Sequence, residues 1–371
     1  MNPDKTINRL IFKLKRIAFH IVFRRKFRKL LNKTGLKNKP VDGEKLYLKK
    51  WHRLSQLVEP YSYRFFSHYC GITPDIIPED IGDYYIQSIL SPRRYRPFYR
   101  DKNLYYTYLP SEILPKMFCC RINGGPILND KFEPFDSASL LNCINNETKI
   151  LLKPSNDSCS GTGVMIFNKT QTGDWVNHNG DKLSVDYLMQ YGDDFILQEV
   201  LKQHDQLSLL CKTSVNTLRI ATYRSVKNDE IYVTAATLRI GRNGSICDNA
   251  CAGGVFTGID VRTGQLGKYV CNKDGVRQPK WNAVDFTQNN YIIPNWENVI
   301  EFAKSIAKAN KHCRALGLDV CIDHKGDCKL IEYNVDFFGY WIFMYTGQKV
   351  FGDKLDEIID YCVNNKHLIY K

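Results

Sequence analysis

No stretch of this 371-residue chain approaches the roughly 20 apolar residues that cross a bilayer. The longest uncharged apolar run near its start is IAFHIVF, residues 17–23. Zinc-type cysteine pairs are missing too. Thirteen cysteines include no CxxC, Cys119 and Cys120 are adjacent, and Cys247 and Cys251 lie four apart. An odd count without a secretory leader predicts free thiols in a reducing, cytoplasmic setting. No GK[ST] follows a glycine loop, which excludes a Walker-type phosphate loop. Internal repeats are lacking. With 43% apolar and 25% charged residues, disordered and collagen-like classes are excluded as well.

Acidic residues are scarce in one place only. Residues 1–50 hold 16 Lys/Arg against 3 Asp/Glu, whereas the remaining 321 residues hold 36 of each sign. The net charge of +13 therefore belongs to one segment. From Arg9 to Leu31, aliphatic and aromatic residues alternate with Lys and Arg in a pattern that gives a wide apolar helical face rimmed by cations. Three uses fit such a helix: lying on anionic lipid, packing on the body with a solvated basic side, or binding nucleic acid. The lack of a reader motif counts against the last.

Four units are expected. Residues 1–40 form the basic helix and a linker, 41–115 a helical, aromatic-rich region, 116–202 and 203–371 two sheet-containing units. Trp51, Leu54, Leu57 and Val58 share helical spacing. Beyond about 115 short β runs dominate, interrupted by a helix near 184–191 and a longer one from Asn295, as N-cap, to Gly317. The pattern predicts an α+β fold with mixed or antiparallel sheets.

Chemistry concentrates in four places. LDVCIDHKGDCKLIEYN reads as a β-hairpin; a loop of two or four residues puts Asp319 opposite Glu332, with Asn334 on the same face. Two carboxylates and an amide oxygen make a hard-oxygen set suited to Mg²⁺ shared with phosphates. In KILLKPSNDSCSGTGVMIFN, Lys153 ends a strand, and Ser158, Ser160, Gly161 and Gly163 make a loop that brings backbone N–H groups to a phosphate. FILQEV sets Gln198, Glu199 and Val200 at a strand end, where backbone groups suit an adenine. Arg219 and Arg239 lie on apolar strands and need anions, either the fold's own carboxylates or a ligand. Asn249 and the Gly253-Gly254 pair follow in a loop.

This order of parts resembles the ATP-grasp superfamily. SVNTLRIAT, LRIGRNGSICDNACAGG and GIDVRTG are similar to its sugar-transfer-associated branch, over about residues 95–365. The resemblance implies two subdomains clasping ATP. Lys102, in DKN, and Lys153 would contact its phosphates under the 155–163 flap, 198–201 would form the adenine hinge, and His204 or Asp205 would lie near the ribose, where a glutamate is more usual. Arg219, Arg239 and Asn249 would be catalytic, and Asp319, Glu332 and Asn334 would hold Mg²⁺. It further implies carboxylate–amine ligation through an acyl phosphate, with carboxylate- and amine-bearing sugar or amino-acid substrates for a cell-surface polysaccharide. A sugar or cyclitol kinase on the same fold and a non-catalytic membrane scaffold are the alternatives.

Overall fold

A computed structural model describes residues 3–135, 137–156, 161–245, 247–288, 290–336 and 338–370, with side chains from Phe12 onward except at 137 and 138. The helical region comprises α1 (Pro3–Lys33), α2 (Glu44–Trp51), α3 (Tyr61–Cys70) and α4 (Lys102–Tyr108), with a further helical run over 79–90. α2 stops at Trp51, short of the helical pattern anticipated to Val58. Leu54 and Val58 are nonetheless buried, because the turns after α2 fold their apolar side chains into the same core.

A smaller sheet contains β1 (Met117–Arg121), β2 (Lys149–Pro154), β3 (Met165–Lys169), β4 (Trp175–Val176) and β5 (Phe195–Glu199) in the order β1-β5-β2-β3-β4. Helix α5 (Val185–Tyr191) precedes β5, its N-terminus capped by the Ser184 hydroxyl accepting from the Tyr187 N–H. Helix α6 (Asp205–Ser208) leads to the larger sheet. That sheet holds β6 (Leu218–Arg224), β7 (Ile231–Ile240), β8 (Val255–Ile259), β9 (Val270–Cys271) and β10 (Arg277–Gln278). After a ribbon of β11 (Lys280–Trp281) and β12 (Val284–Asp285) and the helix α7 (Trp296–Ala309), it is completed by β13 (Ala315–Ile322) and β14 (Cys328–Asn334). The order is β10-β9-β8-β7-β6-β13-β14, and the pairings in both sheets are antiparallel. Helices α8 (Tyr340–Tyr345) and α9 (Leu355–Asn364) follow.

Both faces of the large sheet are covered, which explains why β13 is buried at every position. On one face α7 presents Val299, Ala303, Ile306 and Ala307 to Leu218, Ile220, Leu318 and Val320. On the other, aromatic residues of α2, α3, α8 and α9 pack on Ala221, Tyr223, Ala235 and Phe256. α7 ends at Ala309, not at Gly317. Asn310 leaves helical geometry while its amide donates to the Ile306 carbonyl at 2.7 Å, and Gly317 lies inside β13. A Cβ at Gly317 would stand 3.0 Å from the Phe338 carbonyl oxygen, so glycine there permits a close backbone approach.

The β13–β14 hairpin departs from expectation in its loop. Ile322 pairs with Cys328, leaving five residues in the turn, an odd number. The register then shifts: Val320 faces Leu330, but Asp319 faces Glu332, with Ile331 extra. This bulge restores the pairing of the two acids. It also breaks the side-chain alternation. Leu330, Tyr333 and Val335 enter the core, while Ile331, Glu332 and Asn334 turn to the opposite side.

Helix α1 packs on the body. Phe27 lies against Phe65 and Phe66 at 5.8 and 5.6 Å between ring centroids, Phe12 and Phe19 meet Tyr84, and Arg24 and Lys26 pair with Glu59 and Glu79. Phe27→Ala should lower stability by about 3–5 kcal/mol, the usual effect of emptying a buried phenyl site. Denaturant unfolding checks this; an unchanged midpoint would mean that α1 does not belong to the cooperative unit.

Candidate active site

Antiparallel pairing aligns one row across four strands. Glu332 on β14 stands opposite Asp319 on β13, which stands opposite Arg219 on β6, which stands opposite Thr237 on β7. Two residues further along β7 comes Arg239. Opposed side chains on one face lie within contact distance, so the strand register itself assembles the charges.

Asp319, 2% exposed, is the centre. Arg219 donates to it through Nε at 2.5 Å and Nη2 at 3.0 Å, and Arg239 donates through Nη1 at 2.9 Å. Burial works to raise the Asp319 carboxyl, but the two guanidiniums outweigh it and hold the group below its usual range. The other end of Arg239 donates to Asp248 Oδ1 at 3.0 Å. Asp248 Oδ2 in turn accepts from the Thr217 N–H at 2.9 Å and from the Thr217 hydroxyl. Burial raises the Asp248 carboxyl despite its arginine. A Cβ at Gly339 would lie 3.0 Å from Arg219 Nη1, so the turn into α8 leaves that guanidinium its room.

Two lysines face this row, Lys153 from the smaller sheet and Lys102 from α4. Lys102 opens α4, where Asp101 caps the helix by accepting from the Asn103 N–H at 3.0 Å. The Lys102 N–H donates to the Ser155 carbonyl at 3.0 Å, and the Asn103 amide donates to the Arg121 and Phe195 carbonyls at 3.0 and 3.2 Å. These bonds fix α4 to the sheet. Lys102 Nζ lies 3.3 Å from Glu332 Oε2. Lys153, on β2, is buried and among the described residues has no hydrogen-bond partner for its ammonium. Burial, followed by repulsion from Lys102, lowers its pKa to about 7.

Lys102, Lys153, Arg219, Arg239, Asp248, Asp319, Glu332 and Asn334 line one cavity of about 540 Å³. Gly161 and Asn249 are on its wall. Asn249 also shapes the 250–252 turn, its side chain accepting from the Cys251 N–H at 2.8 Å. The Gly163 carbonyl accepts from the Tyr191 hydroxyl. Ser158 and Ser160 lie outside the described residues. Gln198, Glu199, Val200, His204 and Asp205 are not among the residues that line the cavity. Glu199 accepts from the Lys116 N–H at 2.7 Å, and His204 caps α6 through the Gln206 N–H at 3.2 Å.

Asp248, Thr217 and Trp341 join the site without having been anticipated, as does Asp336, which pairs with Arg96 and Arg100 at the rim. The signal for Asp248 was present: an acid immediately before Asn249, in the loop that follows the Arg239 strand.

The donors suit a divalent cation. Asp319 and Glu332 supply carboxylate oxygens, and Asn334, whose Nδ2 donates to the Gly317 carbonyl at 3.2 Å, keeps its Oδ1 as an acceptor. Among the described residues no three His, Cys, Asp or Glu side chains gather as a metal cluster. A hard ion here would complete its shell with water and phosphate, the habit of Mg²⁺.

Two antiparallel sheets, with Lys153 of one and Lys102 of α4 facing a carboxylate–arginine row of the other, fit an ATP-grasp fold. A family model described as sugar-transfer associated ATP-grasp matches residues 83–359, and the chain belongs to that family. No curated protein matches it. Solved structures similar to it include D-alanyl-alanine synthetase A from Vibrio cholerae, at 12% identity, TM-score 0.40, and coverage of 72% of this chain and 64% of that one. VanG D-Ala:D-Ser ligase from Enterococcus faecalis matches at 14% identity and TM-score 0.40, over 74% and 62%. The ATP-grasp ligase PsnB, in a complex with Mg and ADP, matches at 13% identity and TM-score 0.39, over 87% and 75%. The chain spans less than two thirds of the length of the first two.

Asp248→Ala would leave the buried Arg239 guanidinium with one carboxylate in place of two. Removing a partner from a buried pair costs about 3–5 kcal/mol. Asp248→Asn, which keeps an oxygen for Thr217, should cost less. Unfolding free energies of the two variants check the order, and equal losses would deny the ion pair its role.

Proposed function

We propose that this protein is an ATP- and Mg²⁺-dependent ligase that activates a carboxylate as an acyl phosphate for attack by an amine, releasing ADP. Lys153 carries the reading. A buried lysine with no ion-pair partner among the described residues is costly, and a bound polyphosphate would relieve it. Residues 116–202 would supply this lysine and 203–371 the acid row, with 41–115 shaping the acceptor end.

Lys102 and Lys153 hold the phosphates from the side of the smaller sheet. Arg219 and Arg239, fixed by Asp319, direct positive charge at the phosphoryl group in transit, whose charge spreads over its equatorial oxygens. Asp319, Glu332 and Asn334 would hold Mg²⁺, which supplies Lewis-acid neutralisation of phosphate charge. No protein nucleophile is required, since the substrate carboxylate attacks the γ-phosphorus and its acyl phosphate is then opened by the amine. An acceptor that is a sugar acid, amino sugar or linked amino acid of a cell-surface polysaccharide is supported by the family description, and Trp341, Arg100 and Asp336 line the cavity it would enter. Use of ATP and the free cysteines support a cytoplasmic setting.

Trapping with hydroxylamine during turnover tests the chemistry. A hydroxamate of the acceptor is expected; ADP release with a phosphorylated hydroxyl and no hydroxamate would turn the reading to a phosphotransferase. Glu332→Gln and Lys153→Ala should each reduce nucleotide turnover by at least about 100-fold with the fold intact. Wild-type turnover in both would leave a scaffold.

Lys153 adds a pH signature. Its pKa of about 7 in the free protein must rise when phosphate binds, so nucleotide binding takes up a proton. Affinity is full below that pKa and declines as pH rises above it. Calorimetry near about pH 8 in buffers of different ionisation enthalpy should show uptake approaching one proton, lost in Lys153→Met. No uptake in the wild type would mean that Lys153 stays neutral in the complex.

A further inference from the structure

We propose that the outward face of α1 docks the protein on an anionic lipid bilayer. The inference is independent of the ligase reading and rests on how α1 divides its apolar residues between two opposite faces.

The inward face is aromatic. Phe12, Phe19, Phe23 and Phe27, with Leu30 and Leu31, pack on the 79–90 run and α3. Together with the Arg24–Glu59 and Lys26–Glu79 pairs, these residues attach α1 to the body. The outward face is aliphatic. Leu14, Ile17, Ile21 and Val22 are 59%, 42%, 40% and 59% exposed, and fall at helical spacing over two turns. Single exposed hydrophobics need no explanation. Four on one short stretch of helix do, because packing on the body has not covered them.

Charge identifies the occupant. Lys13, Lys15, Arg25 and Lys29 flank or extend this stripe, and among the described residues none forms an ion pair, unlike Arg24, Lys26 and Lys33 on the sides nearer the body. From Lys13 to Lys29 the helix presents this combination over about 24 Å. The rest of the chain beyond residue 50 is neutral, so the cations are a local feature of this end. An apolar stripe bordered by unpaired cations matches a surface with acyl chains below and anionic headgroups above. A nucleic acid would use the cations but offers the leucine–isoleucine stripe nothing. A second copy of the chain would set like charges against each other. Among the described residues no helix is long and apolar enough to cross a membrane. α1 would therefore lie in the interface plane.

The test is vesicle sedimentation of the full-length protein with phosphatidylcholine alone and with phosphatidylcholine plus phosphatidylglycerol. Binding only to the anionic vesicles, weakened by salt, is expected. Leu14→Ser, Ile17→Ser, Ile21→Ser and Val22→Ser combined should reduce partitioning by about tenfold or more, and so should Lys13→Gln, Lys15→Gln, Arg25→Gln and Lys29→Gln combined. Because the four aliphatic side chains face solvent, the serine variant should melt as the wild type does. Equal recovery on neutral vesicles, no recovery on either, or full binding by the serine variant would overturn the proposal. A lowered melting temperature in that variant would overturn it as well, by assigning the stripe to packing. Retention on duplex DNA in place of vesicles would give the face to nucleic acid.

Discussion

One carboxylate held between two guanidiniums governs the rest of the site. Asp319 is deep in the larger sheet, and an ion at that depth costs several kcal/mol in lost hydration. Arg219 and Arg239 offset that cost, and both are placed by antiparallel register instead of by loops. Their own burial then demands further anions, which Asp248 supplies on one side. The chain of obligations runs from Glu332 to Asp248 across five short segments of backbone. Every member is fixed by a neighbour that needs it, so the electrostatic field exists before any ligand arrives.

The same logic explains an asymmetry. The acids and arginines of the large sheet satisfy one another, whereas Lys153 on the small sheet has no hydrogen-bond or ion-pair partner among the described residues. Lys153 lines the same cavity as that row. Lys102 stands between the two conditions, within reach of Glu332 but anchored to the smaller sheet by the first turn of α4. Closer approach of the sheets around an anion would strengthen these interactions through a lower local dielectric.

Much of this was legible in the sequence, for a definable reason. Asp319, Glu332 and Asn334 break an apolar hairpin, and period-two geometry gathers them on one face whatever the surrounding fold. The loop length was not legible. Five residues in the turn would have slipped the register, and only a bulge at Ile331, which pattern alone does not announce, restored it. Likewise the end of α7 was misplaced because Gly317 looks like a C-terminal cap, whereas its role is to admit the 338 backbone and Asn310 is the residue that stops the helix. The family was readable from short motifs around Arg219, Arg239 and Gly253-Gly254. Asp248 escaped because its place before Asn249 marks a loop acid but does not say that the loop folds back onto the Arg239 strand.

The bulge has a consequence beyond register. A strand of perfect alternation must send Glu332 to the side of Leu330, which would place a carboxylate against the aliphatic core over α7. One extra residue separates the two demands. Leu330, before it, keeps the core's phase, and Tyr333 and Val335, after it, resume that phase one residue later. Glu332 and Asn334 are thereby turned to the cavity at no loss of core area. Strand geometry thus reconciles a hydrophobic interior with a row of hard oxygen donors. The odd turn between Ile322 and Cys328 is what makes the bulge necessary, because a turn of two or four residues would bring Asp319 and Glu332 together without one. The turn and the bulge are therefore coupled: with five residues in the turn, the extra residue at Ile331 is what sets Glu332 opposite Asp319.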